Sequence, residues 1–278
     1  CSSDLIIVTQ LEIPSWSPYG IYENKMEYGL KDMIRDFNKK LTEIVKKKSS
    51  TYVYDFNSFV MKYGSKNIFD YRQFFAGDIK ISLEFLPLFA DELLGFIKPI
   101  IGLNRKCLVL DLDNTLWGGV VGEEGFEGIE LNPNGKGSSF IEFQRVILSL
   151  YQRGIILAIN SKNNLDEALK VINEHPQMIL REKHFACIKI NWNDKVSNMQ
   201  EISKELNIGL DSIVFFDDDP VNREFMKQSL PKVLTMDVPN DPALYASVIF
   251  GMSDFNVLNI TSEDKKRGEM YLQQRKRI

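Results

Sequence analysis

The residues best suited to chemistry stand in four short groups along the chain. In the first, LVLDLDNT, Asp111 and Asp113 are separated by one residue at the end of an apolar run, so continued extension would place both carboxylates on one face. Two carboxylates in that position are costly unless a cation or hydrogen-bond donors compensate them. The pattern favours a nucleophile and a neighbouring acid/base beside a divalent cation. The alternative is a solvated turn after the strand.

The other three groups add a hydroxyl, an ammonium group and more carboxylates. Ser161 in LAINSKNN can donate to a phosphate oxygen or simply cap the helix that follows. Lys195 in NWNDKVSN stands at the start of a helical pattern and is either a site residue or an ordinary solvated lysine. Asp217, Asp218 and Asp219 follow an apolar run in IVFFDDDP. Three consecutive acids repel one another, so this group favours a bound metal ion.

Apolar runs alternate with helical patterns from about residue 104 onwards. Near-continuous apolar strands between amphipathic helices predict a parallel α/β sheet that is covered on both faces. Ligands bind beyond the carboxyl ends of the strands in such sheets, which is where the polar groups stand. The predicted strands are 107–112, 155–159, 186–190, 213–216 and 233–236, and the predicted helices are 138–153, 165–174, 195–206 and 221–230.

The first hundred residues contain no comparable chemistry. Apolar residues at helical spacing predict an amphipathic helix over roughly 23–48, and TYVYDF (51–56) is typical of a strand. A second apolar helix is predicted over 82–101, with a kink at Pro87. We therefore expect a smaller N-terminal α/β accessory domain over 1–103 and a catalytic domain over 104–278.

Composition excludes several classes of function. The net charge of −4 gives no global positive field for nucleic acid. Three cysteines without CxxC spacing and two histidines support neither a disulfide framework nor a zinc site. No apolar run reaches the roughly 18 residues of a membrane span. The first residue is Cys rather than Met. We expect a cytoplasmic chain, or a piece of a longer polypeptide.

The four groups, taken in order, resemble the signature of the haloacid-dehalogenase (HAD) superfamily: DxDxT, Ser, Lys and an acidic pair. The resemblance implies a Rossmann-like parallel sheet and a Mg²⁺-dependent phosphoryl transfer. It implies that Asp111 is the nucleophile and forms an aspartyl-phosphate, while Asp113 is the acid/base. Lys195 would neutralise charge and orient Asp111. The implied metal ligands are Asp111, Asp113 through its carbonyl, Asp217, and Asp218 through water.

The same resemblance implies a set of substrate-binding residues. Thr115 and Ser161 would hydrogen-bond the phosphoryl oxygens. Lys162 and Asn163 flank Ser161 and could bind a second phosphate or a carboxylate. The residues predicted to contact substrate or phosphate are Asn114, Thr115, Ser161, Lys162 and Asn163.

The intervals between Asp111, Ser161 and Lys195 are too short to contain a large cap domain. The glycine-rich segment 117–131, WGGVVGEEGFEGIEL, is interpreted as a β-hairpin flap. A capless site is open, which suits a macromolecular or carrier-bound substrate.

Longer stretches resemble a narrower family, the FkbH-like enzymes of polyketide biosynthesis. The resemblance lies in KCLVLDLDNTLWGGVVGEEGFEGI, EHPQMILR, INWNDKVSNMQEISKELNIGLDS and FFDDDPVNRE, and it extends upstream through DYRQFFAG and VYDF. It implies that the N-terminal domain is part of an SGNH-like region. It also implies that D-1,3-bisphosphoglycerate is dephosphorylated and that its glyceryl unit is loaded on the phosphopantetheine arm of an acyl carrier protein. The chain would then belong to a larger polyketide synthase polypeptide or complex.

Two positions depart from that family. Asn160 stands where the family usually has a cysteine that carries the glyceryl group as a thioester, and an amide is not a competent acyl nucleophile. Either the transfer is lost, or the residue has been altered, or another group substitutes. Cys107 and Cys187 are predicted to be buried core thiols. Asp219 stands where the family more often has Asn. A phosphatase without a carrier partner and a non-catalytic carrier-binding scaffold are the alternatives.

Overall fold

The computed structural model describes residues 5–263, 267–268 and 270–271, so that Cys1 lies outside the described part of the chain. The chain divides into two compact units, Cys1–Leu94 and Gly95–Ile278. The first unit contains a two-stranded parallel sheet and the second a five-stranded sheet.

The first unit pairs β1 (Ile6–Thr9) with β2 (Thr51–Tyr54) in parallel. The helix predicted over 23–48 is shorter than expected, because α1 begins at Leu30, after a short 3₁₀ helix over Gly20–Lys25. The Glu23 carboxylate accepts a hydrogen bond from the Lys31 backbone N–H (2.8 Å) and so satisfies one donor in the first turn of α1. A Cβ at Gly29 would meet the Glu23 side chain at 2.5 Å, so this close approach requires glycine.

Short helices complete the first unit around a cluster of aromatic rings. Phe59 is fully buried, and it stacks on Phe56 and meets Phe89 edge-on. The predicted kink at Pro87 is wrong, because α5 begins at Leu86 and a proline in the first helical turn sacrifices no hydrogen bond. The helices are α1 (Leu30–Val45), α2 (Phe56–Tyr63), α3 (Ser65–Ile68), α4 (Tyr71–Gly77) and α5 (Leu86–Ile97).

The second unit confirms the predicted parallel α/β sheet. The strands are β3 (Cys107–Leu110), β4 (Ile156–Ser161), β5 (Phe185–Ile190), β6 (Ile213–Phe216) and β7 (Leu234–Thr235), in the order β5-β4-β3-β6-β7. The helices are α6 (Val121–Glu124), α7 (Gly137–Gln152), α8 (Leu165–Glu174), α9 (Lys195–Glu205), α10 (Pro220–Ser229) and α11 (Tyr245–Phe250).

Both faces of this sheet are covered by apolar side chains. Leu108 and Leu110 of β3 belong to one buried cluster, whereas Cys107 and Val109 belong to the cluster on the other face. The sheet order reverses at β3, which pairs with β4 on one side and β6 on the other. The carboxyl end of β3 is therefore the switch point at which ligands bind in open parallel sheets.

The segment 117–131 differs from the predicted β-hairpin flap. Its two arms pair only at Gly118 and Glu130, which exchange backbone hydrogen bonds of 3.0 and 2.8 Å. The one-turn helix α6 lies between them, and Asp113 accepts a hydrogen bond from the Val121 N–H at its start (3.1 Å). The flap is therefore a helical loop that is fastened to the site by a carboxylate.

Candidate active site

Three carboxylates converge at the carboxyl ends of β3 and β6. Asp111 follows β3, and its backbone N–H donates to the Phe216 carbonyl (3.0 Å), which continues the pairing of the two strands. Asp217 follows β6 and is fully buried. One ligand atom from each of Asp111, Asp217 and Asp218 lies within 4.8 Å of the others. These three residues are among the four predicted metal ligands, and the fourth is Asp113.

Lys195 extends into the carboxylate group from the first residue of α9. Its ammonium Nζ lies 2.6 Å from Asp217 Oδ2 and 2.9 Å from Asp111 Oδ1. Only 4% of the residue is exposed, so the interpretation as a solvated surface lysine is wrong. Burial lowers the pKa of Lys195, but the charges of Asp111 and Asp217 outweigh it and raise that pKa above its ordinary value.

The electrostatics of the group fit a divalent cation. Burial, then the charge of Asp111, raises the pKa of Asp217 to about 6, and the same causes raise the pKa of Asp218 to about 7. Asp111 Oδ1 is buried and, although ion-paired with Lys195, accepts no well-directed hydrogen bond from the described residues. Oxygen-only ligands of this kind suit Mg²⁺.

Asp113 is not one of the three converging carboxylates. Its Oδ1 accepts hydrogen bonds from Trp117 Nε1 (2.9 Å) and the Val121 N–H (3.1 Å), and its Oδ2 accepts one from Asn163 Nδ2 (2.8 Å). Burial raises the pKa of Asp113 above its usual value despite these donors. A fixed carboxyl with a raised pKa suits proton transfer. Its carbonyl as a metal ligand stays a prediction.

The predicted phosphate-binding residues surround this group with different degrees of burial. Thr115 is fully buried, and its hydroxyl lies 3.3 Å from Asp218 Oδ1. Ser161 is the last residue of β4 and is buried, whereas Asn164 holds the N-cap position of α8, so Ser161 is not that helix's cap. Lys162 is exposed beside it. Binding of phosphate by these residues stays a prediction.

Asn114 and Asn163 are occupied in holding other parts of the site. Asn114 has a left-handed backbone (φ 54°), and its Oδ1 accepts a hydrogen bond from the Gly119 N–H (2.8 Å). The Asn114 carbonyl accepts one from the Tyr245 hydroxyl (3.2 Å). Asn163 is buried and donates to Asp113. Both asparagines therefore position the flap and the acid/base in this structure.

Asn160 is fully buried and is directed away from any open surface. Its Nδ2 donates to the backbone carbonyl of Lys195 (2.8 Å), and its Oδ1 accepts from Asn198 Nδ2 (3.2 Å). Cys107 and Cys187 are also fully buried, as predicted, and burial raises the pKa of the Cys107 thiol. All three side chains are therefore closed off from solvent in this structure.

Two residues of the site have roles that sequence reasoning did not assign. Arg223 donates through Nη1 to the carbonyls of Asp217 (2.8 Å) and Asp218 (2.5 Å), which fixes the acidic turn after β6. Asp219 caps α10 by accepting from the Val221 N–H (2.8 Å), so that its charge is used at the helix terminus. The Arg223 role had no signal, because an arginine in a helical pattern is usually a surface residue. The DP pair that begins a helix could have identified the cap.

An open cavity of about 990 Å³ lies beside Asp218. Asn114 and Asp218 line it at the catalytic end, and Lys136 and the 239–243 segment line it further out. The volume is at the upper end of the range for small-molecule pockets. The site therefore has room for a substrate beyond its reacting phosphate.

Comparisons with known proteins agree with this site. Residues 1–98 match the family described as FkbH, N-terminal domain. The structure is similar (TM-score 0.87, 32% identity) to the crystal structure of the N-terminal part of the protein BF1531 from Bacteroides fragilis, which contains a phosphatase domain and is complexed with Mg. That match covers 92% of this chain and 68% of the other. No curated protein matches the chain.

The parallel sheet, with its Asp–Lys cluster at the switch point, defines a HAD-type phosphatase domain. The chain belongs to the FkbH-like family. The prediction of Mg²⁺ is supported by the buried three-carboxylate group here and by Mg in the related structure. No helix among the described residues is long and apolar enough to cross a membrane.

Mg²⁺ is expected to stabilise the protein more at pH 8 than at pH 5.5. Because the raised pKa values of Asp217 (about 6) and Asp218 (about 7) favour protonation in the folded state, metal-free stability falls as pH rises through them. A cation at about 100 times its Kd adds about 2.7 kcal/mol, or roughly 5 to 10 °C in Tm, where protons do not compete. Thermal unfolding with and without MgCl₂ measures this shift.

Asp217→Asn is the control for that titration, since it removes one buried ligand and should lose most of the Mg²⁺ shift. An equal shift at both pH values, or an undiminished shift in the variant, would contradict this metal site.

Proposed function

We propose that this chain is a Mg²⁺-dependent phosphatase in which the phosphoryl group passes through Asp111. The observation that supports it best is the contact of Lys195 Nζ with both Asp111 (2.9 Å) and Asp217 (2.6 Å) at the end of the parallel sheet. Burying a lysine among carboxylates is costly because each charge loses its hydration. Such arrangements are concentrated at functional sites. The coarser conclusion, a phosphatase of the FkbH-like family, agrees with the comparisons.

The proposed reaction has two steps. A carboxylate oxygen of Asp111 forms a bond to phosphorus, and the bond from phosphorus to the leaving oxygen breaks as Asp113 donates its proton to that oxygen. Asp113 then removes a proton from a water molecule that attacks phosphorus, and inorganic phosphate leaves Asp111. When bound, Mg²⁺ offsets the charge that develops on the phosphoryl oxygens. Lys195, whose Nζ lies 2.9 Å from Asp111 Oδ1, would stabilise the same charge.

For the substrate we propose D-1,3-bisphosphoglycerate, with an acyl carrier protein as the partner that receives the glyceryl unit. Support comes from the family to which the chain belongs and from the cavity of about 990 Å³ that opens beside Asp218. In this proposal Thr115 and Ser161 bind the C3 phosphate, which passes to Asp111, and the exposed Lys162 binds the acyl phosphate at C1. The carrier thiol then attacks the acyl carbon, and the C1 phosphate leaves as the thioester forms.

A second candidate is a phosphatase that has no carrier partner. The burial of Asn160 favours it, because the position that carries the acyl group in the resembling family is occupied here by a fully buried amide. In that case water hydrolyses the phosphoryl group on Asp111, and no thiol receives a glyceryl group.

Intact-protein mass spectrometry combined with a phosphate assay separates these candidates. The chain is incubated with D-1,3-bisphosphoglycerate, Mg²⁺ and a holo carrier protein, and the same mixture without enzyme corrects for spontaneous hydrolysis. Enzyme-dependent phosphate release with a glyceryl mass on the carrier supports the loading enzyme. Phosphate release without any acylated protein supports the second candidate. Carrier binding without phosphate release would leave only the non-catalytic scaffold.

A further inference from the structure

We propose that Asn160 is a positioning residue that fixes Lys195 at the phosphoryl site, and that it is not an acyl carrier in this chain. The inference rests on the proposed phosphatase function, since it concerns how that site is held. It would explain why an amide occupies a position at which the resembling family usually has a thiol.

The direction of the Asn160 side chain follows from the alternation of β4. Ile156 and Ala158 belong to the buried cluster that includes Met199 and Ile202 of α9. Asn160 comes two residues after Ala158, so its side chain lies on the same face of the sheet. There its Nδ2 donates to the Lys195 carbonyl at 2.8 Å. The strand that ends at Ser161 is thereby tied to the first residue of α9.

The other end of the amide joins a network of asparagines. Asn198, one turn into α9, is fully buried and donates through Nδ2 to Asn160 Oδ1 (3.2 Å) and to Asn191 Oδ1 (3.0 Å). Asn191 directly follows β5 and donates back to Asn198 Oδ1 (3.3 Å). The three amides therefore connect the ends of β4 and β5 to the first turn of α9.

This connection matters because the Lys195 ammonium sits at the end of a long side chain. Its contacts of 2.6 and 2.9 Å with Asp217 and Asp111 require the backbone of residue 195 to be held within a fraction of an ångström. Asn160 binds that backbone at its carbonyl. A cysteine or an alanine at position 160 could not both donate to the Lys195 carbonyl and accept from Asn198 Nδ2. Either residue would remove one hydrogen-bond acceptor from the buried Asn198 amide.

The test is a double-mutant cycle between Asn160→Ala and Lys195→Met, measured on the full chain with p-nitrophenyl phosphate and Mg²⁺. We expect Asn160→Ala to lower kcat about 10- to 100-fold, the range for residues that orient a reacting group, with a smaller change in KM. In the Lys195→Met background the same substitution should change kcat by less than about threefold, because its effect passes through Lys195.

A second readout does not depend on turnover. Beryllofluoride mimics a phosphoryl group on an aspartate, and its Mg²⁺-dependent binding can be measured by calorimetry. Asn160→Ala should weaken this binding in the wild-type background and leave it unchanged in the Lys195→Met background. Ile202→Val, which removes one methylene from the buried face of α9, is the control for destabilisation and should preserve both kcat and beryllofluoride affinity.

Two outcomes would overturn the positioning role. The first is an equal fall in kcat from Asn160→Ala in both backgrounds, and the second is no fall at all in an active enzyme. A glyceryl mass on wild-type Asn160 would refute the other part of the proposal, that this residue is not an acyl carrier. Failure of the proposed function is distinct, since then the wild-type protein releases no phosphate from any substrate.

Discussion

Asp111→Asn is expected to abolish phosphate release, with a loss of kcat of roughly 10⁴-fold or more. The amide has the shape of the carboxylate but carries no negative charge, so it cannot form the bond to phosphorus. Asp111 follows β3 and is almost fully buried, with Lys195 Nζ 2.9 Å from its Oδ1. A steady-state phosphate assay with Mg²⁺ measures the loss, and the mass of the protein should show no phosphoryl adduct.

The variant should remain folded. The Asp111→Asn change removes one of three mutually repelling carboxylates, and Lys195 would keep its contact with Asp217 at 2.6 Å. We therefore expect the metal-free Tm to be unchanged or higher. Asp237→Asn is the matched control, because Asp237 pairs with Lys227 on the surface and its loss should leave turnover unchanged. Turnover retained in the Asp111 variant would refute the nucleophile assignment.

In the second unit all five strands and the helices α7 to α10 lie within two residues of their predicted bounds, whereas α6 and α11 were not predicted. The helix at 165–174 and the strand at 213–216 have the predicted bounds. The strands of a buried parallel sheet are mostly apolar, so the first polar residues lie close to the strand ends, although β4 continues through Asn160 and Ser161. The same logic placed Asp111 and Asp217 side by side, because parallel strands end at one edge of the sheet.

The parts that sequence could not supply depend on contacts between distant residues. A lysine at a helix start has the same sequence signature whether it is solvated or buried, and the burial of Lys195 depends on where α9 packs. The turn of helix inside the flap depends on the Asp113 carboxylate that accepts from its first N–H. Likewise, α1 starts late because Glu23 reaches its N-terminus. Hydrogen bonds of this kind, from a backbone N–H to a distant side chain, can change where a helix begins. The hydrophobic pattern of the sequence gives no sign of them.

Asn160 shows the same limitation within the site. Its position in the motif corresponds to a cysteine of the resembling family that carries the glyceryl group. From that resemblance alone, Asn160 is interpreted as the loss of a nucleophile. Its contacts with Lys195 and Asn198 give it a different surrounding, inside the sheet–helix interface. The motif resemblance drew attention to position 160, whereas the contacts of Asn160 could be read only from the structure.

Lys195→Met should both inactivate and destabilise the metal-free protein. Removal of the ammonium leaves Asp111 and Asp217 buried without the charge that lies 2.9 and 2.6 Å from them. Breaking a buried pair in this way costs about 3 to 5 kcal/mol, or roughly 6 to 20 °C in Tm for a protein of this size. Turnover should fall about 10²- to 10³-fold, because one electrostatic contact to the developing charge is lost.

The loss of stability in Lys195→Met should be larger at high pH than at low pH. Burial and Asp111 already raise the pKa of Asp217 to about 6 and that of Asp218 to about 7, so these groups favour the folded state when protonated. Near pH 5 protonation compensates for the missing ammonium, and near pH 8 it does not. The Tm difference between wild type and Lys195→Met should therefore widen as pH rises from 5 to 8.

Lys189→Met is the matched control for this prediction. Lys189 lies on β5 and pairs with Glu201 (2.9 Å) and Glu205 (3.1 Å), both of which remain partly exposed to solvent. Because water can hydrate those carboxylates after the change, we expect a loss below about 1 kcal/mol with little effect on turnover. If Lys195→Met were no more destabilising than Lys189→Met at pH 8, the carboxylates at the end of β3 and β6 would not depend on their lysine, and the electrostatic account of this site would be wrong.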